Sequence, residues 1–179
     1  MIRAIAISSR PRSLSTASEA WRLTHVGRDG SPHMVDVGDK RVTRRSATAR
    51  STLRLPVHVL AELQRGGSQL VGPKGSVSAT AIIAGVLGAK QTSSLIPFCH
   101  PLPIEDCQVT LRVEEPDAIH VECCVRVTHK TGVEMEALTG ASVAALCVYD
   151  MCKALSHDIV IESTRLVEKT GGKTDLVDK

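Results

Sequence analysis

Asp150 and Lys153 stand three residues apart in a run whose apolar positions recur at helical spacing, so they share one helix face and reach one another. A carboxylate held beside an ammonium is an acid/base pair; its bland counterpart is a surface ion pair contributing about 0.3–0.5 kcal/mol. Glu134 and Glu136 open the same run, where acidic side chains complement the positive end of a helix dipole and capping alone accounts for them. On a continuous helix Glu136 and Asp150 are about 21 Å apart at ~1.5 Å per residue. A small substrate cannot touch both, so a site that uses both must draw them from two chains.

Lys74 lies in the turn Val71-Gly72-Pro73-Lys74-Gly75 at the entrance to a helix, where free backbone N–H groups and the dipole favour an anion such as phosphate. The spacing is not that of a G-x-x-x-x-G-K-S/T phosphate loop, and a turn lysine is more often simply solvated. Lys169 and Lys173 bracket Thr170-Gly171-Gly172, a second glycine-rich segment, which gains weight as an anion site only if the fold brings it near Lys74. Cys99 and His100, held between Pro97 and Pro101, either line a pocket together or pack as a buried, inert pair. The six cysteines include no C-x-x-C pair, and Cys147 and Cys152 point to different sides of a helix, so no metal site is expected.

The elements that must carry these residues follow from periodicity. Residues 44–55 alternate as an amphipathic strand with Ala47, Ala49, Ser51, Leu53 and Leu55 on one side. Pro56 opens a short helix through Val59, Leu60 and Leu63, stopped by Gly66-Gly67. Residues 76–92 read as a second helix, with Ile82, Ile83, Val86 and Leu87 as its apolar stripe and many small residues that let another backbone approach. Three prolines between Pro97 and Pro103 impose a rigid loop. Two alternating strands, around Val109–Val113 and Ile119–Val127, flank the turn Glu115-Pro116-Asp117. Residues 133–155 form the longest helix and 159–169 a last strand. One doubled connection aside, the string is β-α-β-β-α-β, which predicts an α+β fold: a ferredoxin-like antiparallel sheet with helices packed on one face.

The 179 residues suffice for one domain, and 42% hydrophobic with 23% charged residues is a globular balance. The expected organisation is a flexible arm or transit peptide over residues 1–20, one domain over 21–173 and a tail over 174–179. Aromatic residues make up 2% of the chain and none falls in the expected strands, which removes the base-stacking platform of an RNA-binding sheet. A net charge of +3 is too small for polyanion binding over a whole surface, so no nucleic-acid partner is expected. The longest uncharged apolar stretch, Gly75–Ala89, is shorter than the ~20 residues of a membrane span, and no membrane partner is expected either. Adjacent Cys123 and Cys124 cannot bridge in the ordinary way, and a reducing compartment fits better than a disulfide scaffold. The first twenty residues carry Arg3, Arg10 and Arg12 among five serines with no acidic residue before Glu19, the composition of a mitochondrial transit peptide and equally of an arm on a cytoplasmic bacterial protein.

Six segments, taken in order, carry a resemblance: Met34–Val37, Lys74-Gly75, Leu95–Leu102, Lys130–Thr139, Tyr149–Lys153 and Lys169–Lys173. From about Leu23 to Lys173 the chain resembles the cyclic pyranopterin monophosphate synthase family, the molybdenum cofactor biosynthesis protein C family. The resemblance implies a lyase that turns (8S)-3′,8-cyclo-7,8-dihydroguanosine 5′-triphosphate into cyclic pyranopterin monophosphate and pyrophosphate. It implies a homohexamer, a trimer of dimers with sites between subunits, and no cofactor is expected. It also implies Asp150 and Lys153 as the catalytic acid/base pair, Lys74 and Lys169 as lysines lining the site, and Phe98, Cys99, His100, Met135, Glu136 and Arg45 as substrate contacts. Two departures stand out. Lys74-Gly75-Ser76 replaces the family's Lys-Gly-Asp, and Phe98 replaces its Leu. Ser76 can cap the next helix as Asp would but brings no carboxylate, and Phe98 serves as an apolar wall. The tail after Lys173 also departs from the family's glycine-rich, aromatic ending. These departures leave an inactive homologue, or a ferredoxin-like nucleotide-binding module, as alternatives.

Overall fold

The computed structural model describes Val26, residues 29–67 and residues 69–177, and the arm over residues 1–20 lies outside them. Contacts divide the chain into Met1–Val35 and Asp36–Lys179. In the first unit Val26 and Pro32 form an isolated antiparallel bridge. Among the described residues, every helix and sheet strand lies in the second unit.

Five strands make one antiparallel sheet in the order β4-β5-β1-β6-β7: β4 is Asp106–Glu114, β5 Ala118–His129, β1 Thr43–Arg54, β6 Val160–Thr170 and β7 Leu176–Val177. The period-2 pattern sets which face is buried. Ala47, Ala49, Ser51 and Leu53 of β1 and Ile119, Val121, Cys123, Val125 and Val127 of β5 are buried on one side, each fully removed Val, Leu or Ile contributing about 1.5–3 kcal/mol. The other side carries Arg50 and Arg54, paired with Glu122, Asp117 and Glu162. Against the apolar face pack α1 (Val57–Gln64), α2 (Val77–Lys90) and α4 (Glu134–Cys152). By length and composition alone α4 would cross a membrane, yet half of it is buried inside the protein, as befits a core helix.

Pro56 is the N-cap of α1 rather than its first residue, and Ser76 caps α2 by accepting a hydrogen bond from the Ala79 N–H at 3.2 Å. The expected stripe on α2 is corrected by the structure. Ile83 is 62% exposed and Leu87 55%, with Ile82 also exposed, while Ala81, Gly85, Gly88 and Ala89 are the buried face. Periodicity located an apolar face but chose the wrong one, because α2 meets α4 through its small residues. A Cβ on either Gly85 or Gly140 would come within 3.1 Å of the other's carbonyl oxygen.

Four short elements were not foreseen. The turn around Lys74 is a small hairpin of β2 (Val71–Gly72) and β3 (Gly75–Ser76), and α3 (Thr92–Leu95) follows α2 beyond the helix end expected at residue 92. The tail is not simply loose: β7 pairs Leu176 with Lys169 and Val177 with Glu168.

Candidate active site

The C-terminal end of α4 gathers three of the expected residues. The Lys74 ammonium donates to the Asp150 carboxylate at 2.9 Å and to the Asp150 carbonyl at 3.0 Å, and Lys153 reaches the other carboxylate oxygen at 2.7 Å. Local structure places all three. Gly75, at φ +105°, adopts a backbone conformation that other residues avoid, and so closes the hairpin that presents Lys74. Lys153 caps α4, where helix carbonyls lack partners, and both ammonium groups complement the negative end of the dipole. The hydrogen bond from Lys153, then that from Lys74, lowers the Asp150 carboxyl to about 2, while the same contact raises Lys153. At neutral pH the triad is one carboxylate between two cations, all about half-exposed and open to a polar ligand.

The opposite end of α4 holds a second group. Lys169 on β6 approaches the Glu134 carboxylate at 3.3 Å. Glu134 and Glu136 stand in the first turn of α4, where acidic side chains complement the helix dipole, and Glu134 adds this ion pair to that role. Arg45 on β1 donates to the carbonyls of His129 at 3.1 Å and Lys130 at 3.0 Å. Lys130 itself, missed as a site candidate although it opens the motif Lys130–Thr139, donates to the Gly38 carbonyl at 2.6 Å.

Glu136 is only 4% exposed, and burial raises its carboxyl to about 6, with the neighbouring Glu134 charge adding to the shift. It lines a cleft of about 350 Å³ with Lys90, Ser93 and the Pro101–Ile104 loop. Cys99 is raised first by burial and then by the Glu136 charge, which sets thiol and carboxyl in electrostatic reach of one another. His100 is half-buried and engaged within the fold. Phe98 and Met135 present exposed apolar surface, as a wall for a flat ring would.

The two groups do not meet within one chain. Glu134 and Asp150 are about 24 Å apart along α4 at ~1.5 Å per residue, so Lys74, Asp150 and Lys153 belong to one end and Lys169, Arg45 and Glu136 to the other.

Residues 34–172 match the model of the MoaC family. The chain is 54% identical over 159 residues to the cyclic pyranopterin monophosphate synthase of Xanthomonas axonopodis pv. citri, spanning 89% of this chain and 95% of that protein. The protein of that name from Xanthomonas oryzae pv. oryzae gives the same identity and spans. The molybdenum cofactor biosynthesis protein 1 of Dictyostelium discoideum is 46% identical over 167 residues, 85% of this chain and 26% of that longer protein. The family match covers all of the residues brought together at both ends of α4, and the chain belongs to the MoaC family.

Proposed function

We propose that the chain is a cyclic pyranopterin monophosphate synthase, a lyase of molybdenum cofactor biosynthesis that converts (8S)-3′,8-cyclo-7,8-dihydroguanosine 5′-triphosphate to the cyclic pterin monophosphate and pyrophosphate. The observation that carries this reading is the Lys74–Asp150–Lys153 triad at 2.7–2.9 Å, in a chain whose other cations and buried carboxyl stand at the far end of the same helix. The chemistry needs both. Opening and rebuilding the ring moves protons, for which ionised Asp150 is a base and cationic Lys153 an acid. Closing the cyclic phosphate forms a bond from a sugar-derived oxygen to the α-phosphorus and breaks the bond to the β-phosphate. The departing pyrophosphate is neutralised by Lys169, Arg45 and Lys74. Glu136, Cys99, His100, Phe98 and Met135 hold the heterocycle.

The order of the four long strands, β4-β5-β1-β6, supports the ferredoxin-like label. A homohexamer with sites between subunits is supported by the separation of the two groups and by exposed Ile83, Leu87 and Leu146 on the contacting helices α2 and α4. The composition of the first twenty residues supports mitochondrial import, and the bacterial relatives support a cytoplasmic protein. Mass spectrometry of the native protein decides: an N-terminus beyond Ala20 favours import, and an intact arm removes it.

Incubation with the cyclised triphosphate, with pterin and pyrophosphate measured separately, tests the reaction. Both products are expected in equal amounts, and none above background would remove the lyase reading in favour of a homologue that has lost turnover. Lys74→Ala and Asp150→Ala are each expected to abolish turnover without altering the oligomer; full activity in either variant refutes that residue's role.

A further inference from the structure

Cys107 and Cys123 lie diagonally across the β4–β5 pair, Cys107 opposite Val125 and Cys123 opposite Val109, with their sulfurs 3.9 Å apart. Their surroundings differ. Cys123 is fully buried, its sulfur seated where α2 crosses α4, so that a Cβ on Gly140 would lie 2.5 Å from it. Cys107 is half-buried on β4, which is an edge strand, and is approachable from solvent. No part of the proposed reaction uses either thiol.

We propose that Cys107 and Cys123 form an oxidisable dithiol that takes a low-molecular-weight disulfide, Cys107 as the attacking sulfur and Cys123 as the resolving one. The hydrogen bond from Cys123 lowers Cys107 below the usual thiol range, assisted by the Lys90 ammonium and opposed by burial and Asp106. Burial raises Cys99, Cys147 and Cys152, and the Cys107 contact raises Cys123. In the first step the Cys107 thiolate bonds to one sulfur of the disulfide and its other half leaves as a thiolate, which takes up a proton. Cys123 then attacks the Cys107 sulfur and expels the second half, its proton passing to the departing thiolate. The chain gives up two electrons and two protons, and one small disulfide becomes two thiols. The sulfurs close from 3.9 Å to about 2.05 Å.

The test treats the reduced full-length chain with oxidised glutathione, then unfolds it, alkylates the remaining thiols and maps the peptides by mass. The expected product has one Cys107–Cys123 link and, of the six cysteines, four alkylated. Cys107→Ser is expected to form no link, and Cys123→Ala to retain glutathione on Cys107. Six alkylated thiols in the treated wild-type chain, or a link joining any other pair, overturns the proposal; glutathione on Cys123→Ala at a cysteine other than Cys107 overturns the order of attack. The wild-type map decides the pairing even if a variant fails to fold. The outcome is independent of the lyase reading, because no step of that reaction passes through these sulfurs.

Discussion

Glu136 shows at the level of one side chain what burial does to chemistry. Its folded carboxyl titrates at about 6 against an ordinary 4.5, so between those values the folded chain keeps a proton that the unfolded chain has released. Stability therefore falls as pH rises through that window and stays lower above it, by about 2 kcal/mol at ~1.4 kcal/mol per pKa unit. Glu136→Gln removes the penalty. Urea unfolding is expected to find the variant more stable by about 1–2 kcal/mol at about pH 8, with the difference gone near pH 4; a difference that does not change with pH contradicts the assignment. Asp150 has the opposite sign. Its lowered carboxyl is ionised throughout this range, and the stability it adds is lost only as pH falls from about 4 through about 2. The Asp150–Lys153 pairing was legible from spacing alone, since i and i+3 positions meet on any helix. The contact with Lys74 was not, because it spans 76 positions and depends on a hairpin of four residues. The place of Glu134 in the first turn was legible as well, but its partner Lys169 was not, since it lies 35 positions away.

At the level of elements, the α2–α4 crossing fixes where both ends of α4 stand relative to the sheet. It is built from glycine and alanine, and a Cβ on Gly140 would meet the Cys123 sulfur at 2.5 Å and the Gly85 carbonyl at 3.1 Å. The Gly85 carbonyl is backbone and cannot retreat without moving its helix. Gly140→Ala is expected to cost about 1–3 kcal/mol in urea unfolding, whereas no loss would mean that the helices are less tightly crossed. The long strands were readable because their alternation has period 2 and only one face is buried, so register and orientation are tied together. The buried face of α2 was not, since both its faces are apolar and the choice rests on which residues are small enough for a second helix. β7 escaped notice because two residues carry no period at all.

For the whole molecule, the distance between the ends of α4 and the exposed apolar surface of α2 both bear on the proposed site between chains. A lone chain leaves Ile83, Leu87 and Leu146 more than half exposed and offers substrate only one group of residues at a time. Leu87→Asp is expected to shift the oligomer to smaller species in analytical ultracentrifugation and to reduce turnover at least tenfold; a variant that stays assembled and active would free that surface from any role in association. The most direct test mixes Lys74→Ala chains with Lys169→Ala chains under conditions of demonstrated subunit exchange. Each variant alone is inactive, and random mixing rebuilds about a quarter of the sites if each site joins two chains. Mixing Lys74→Ala with Asp150→Ala, two lesions at one end, is expected to restore nothing. Recovery in the first mixture alone is the predicted result, and silence there despite exchange would contradict a site shared between chains.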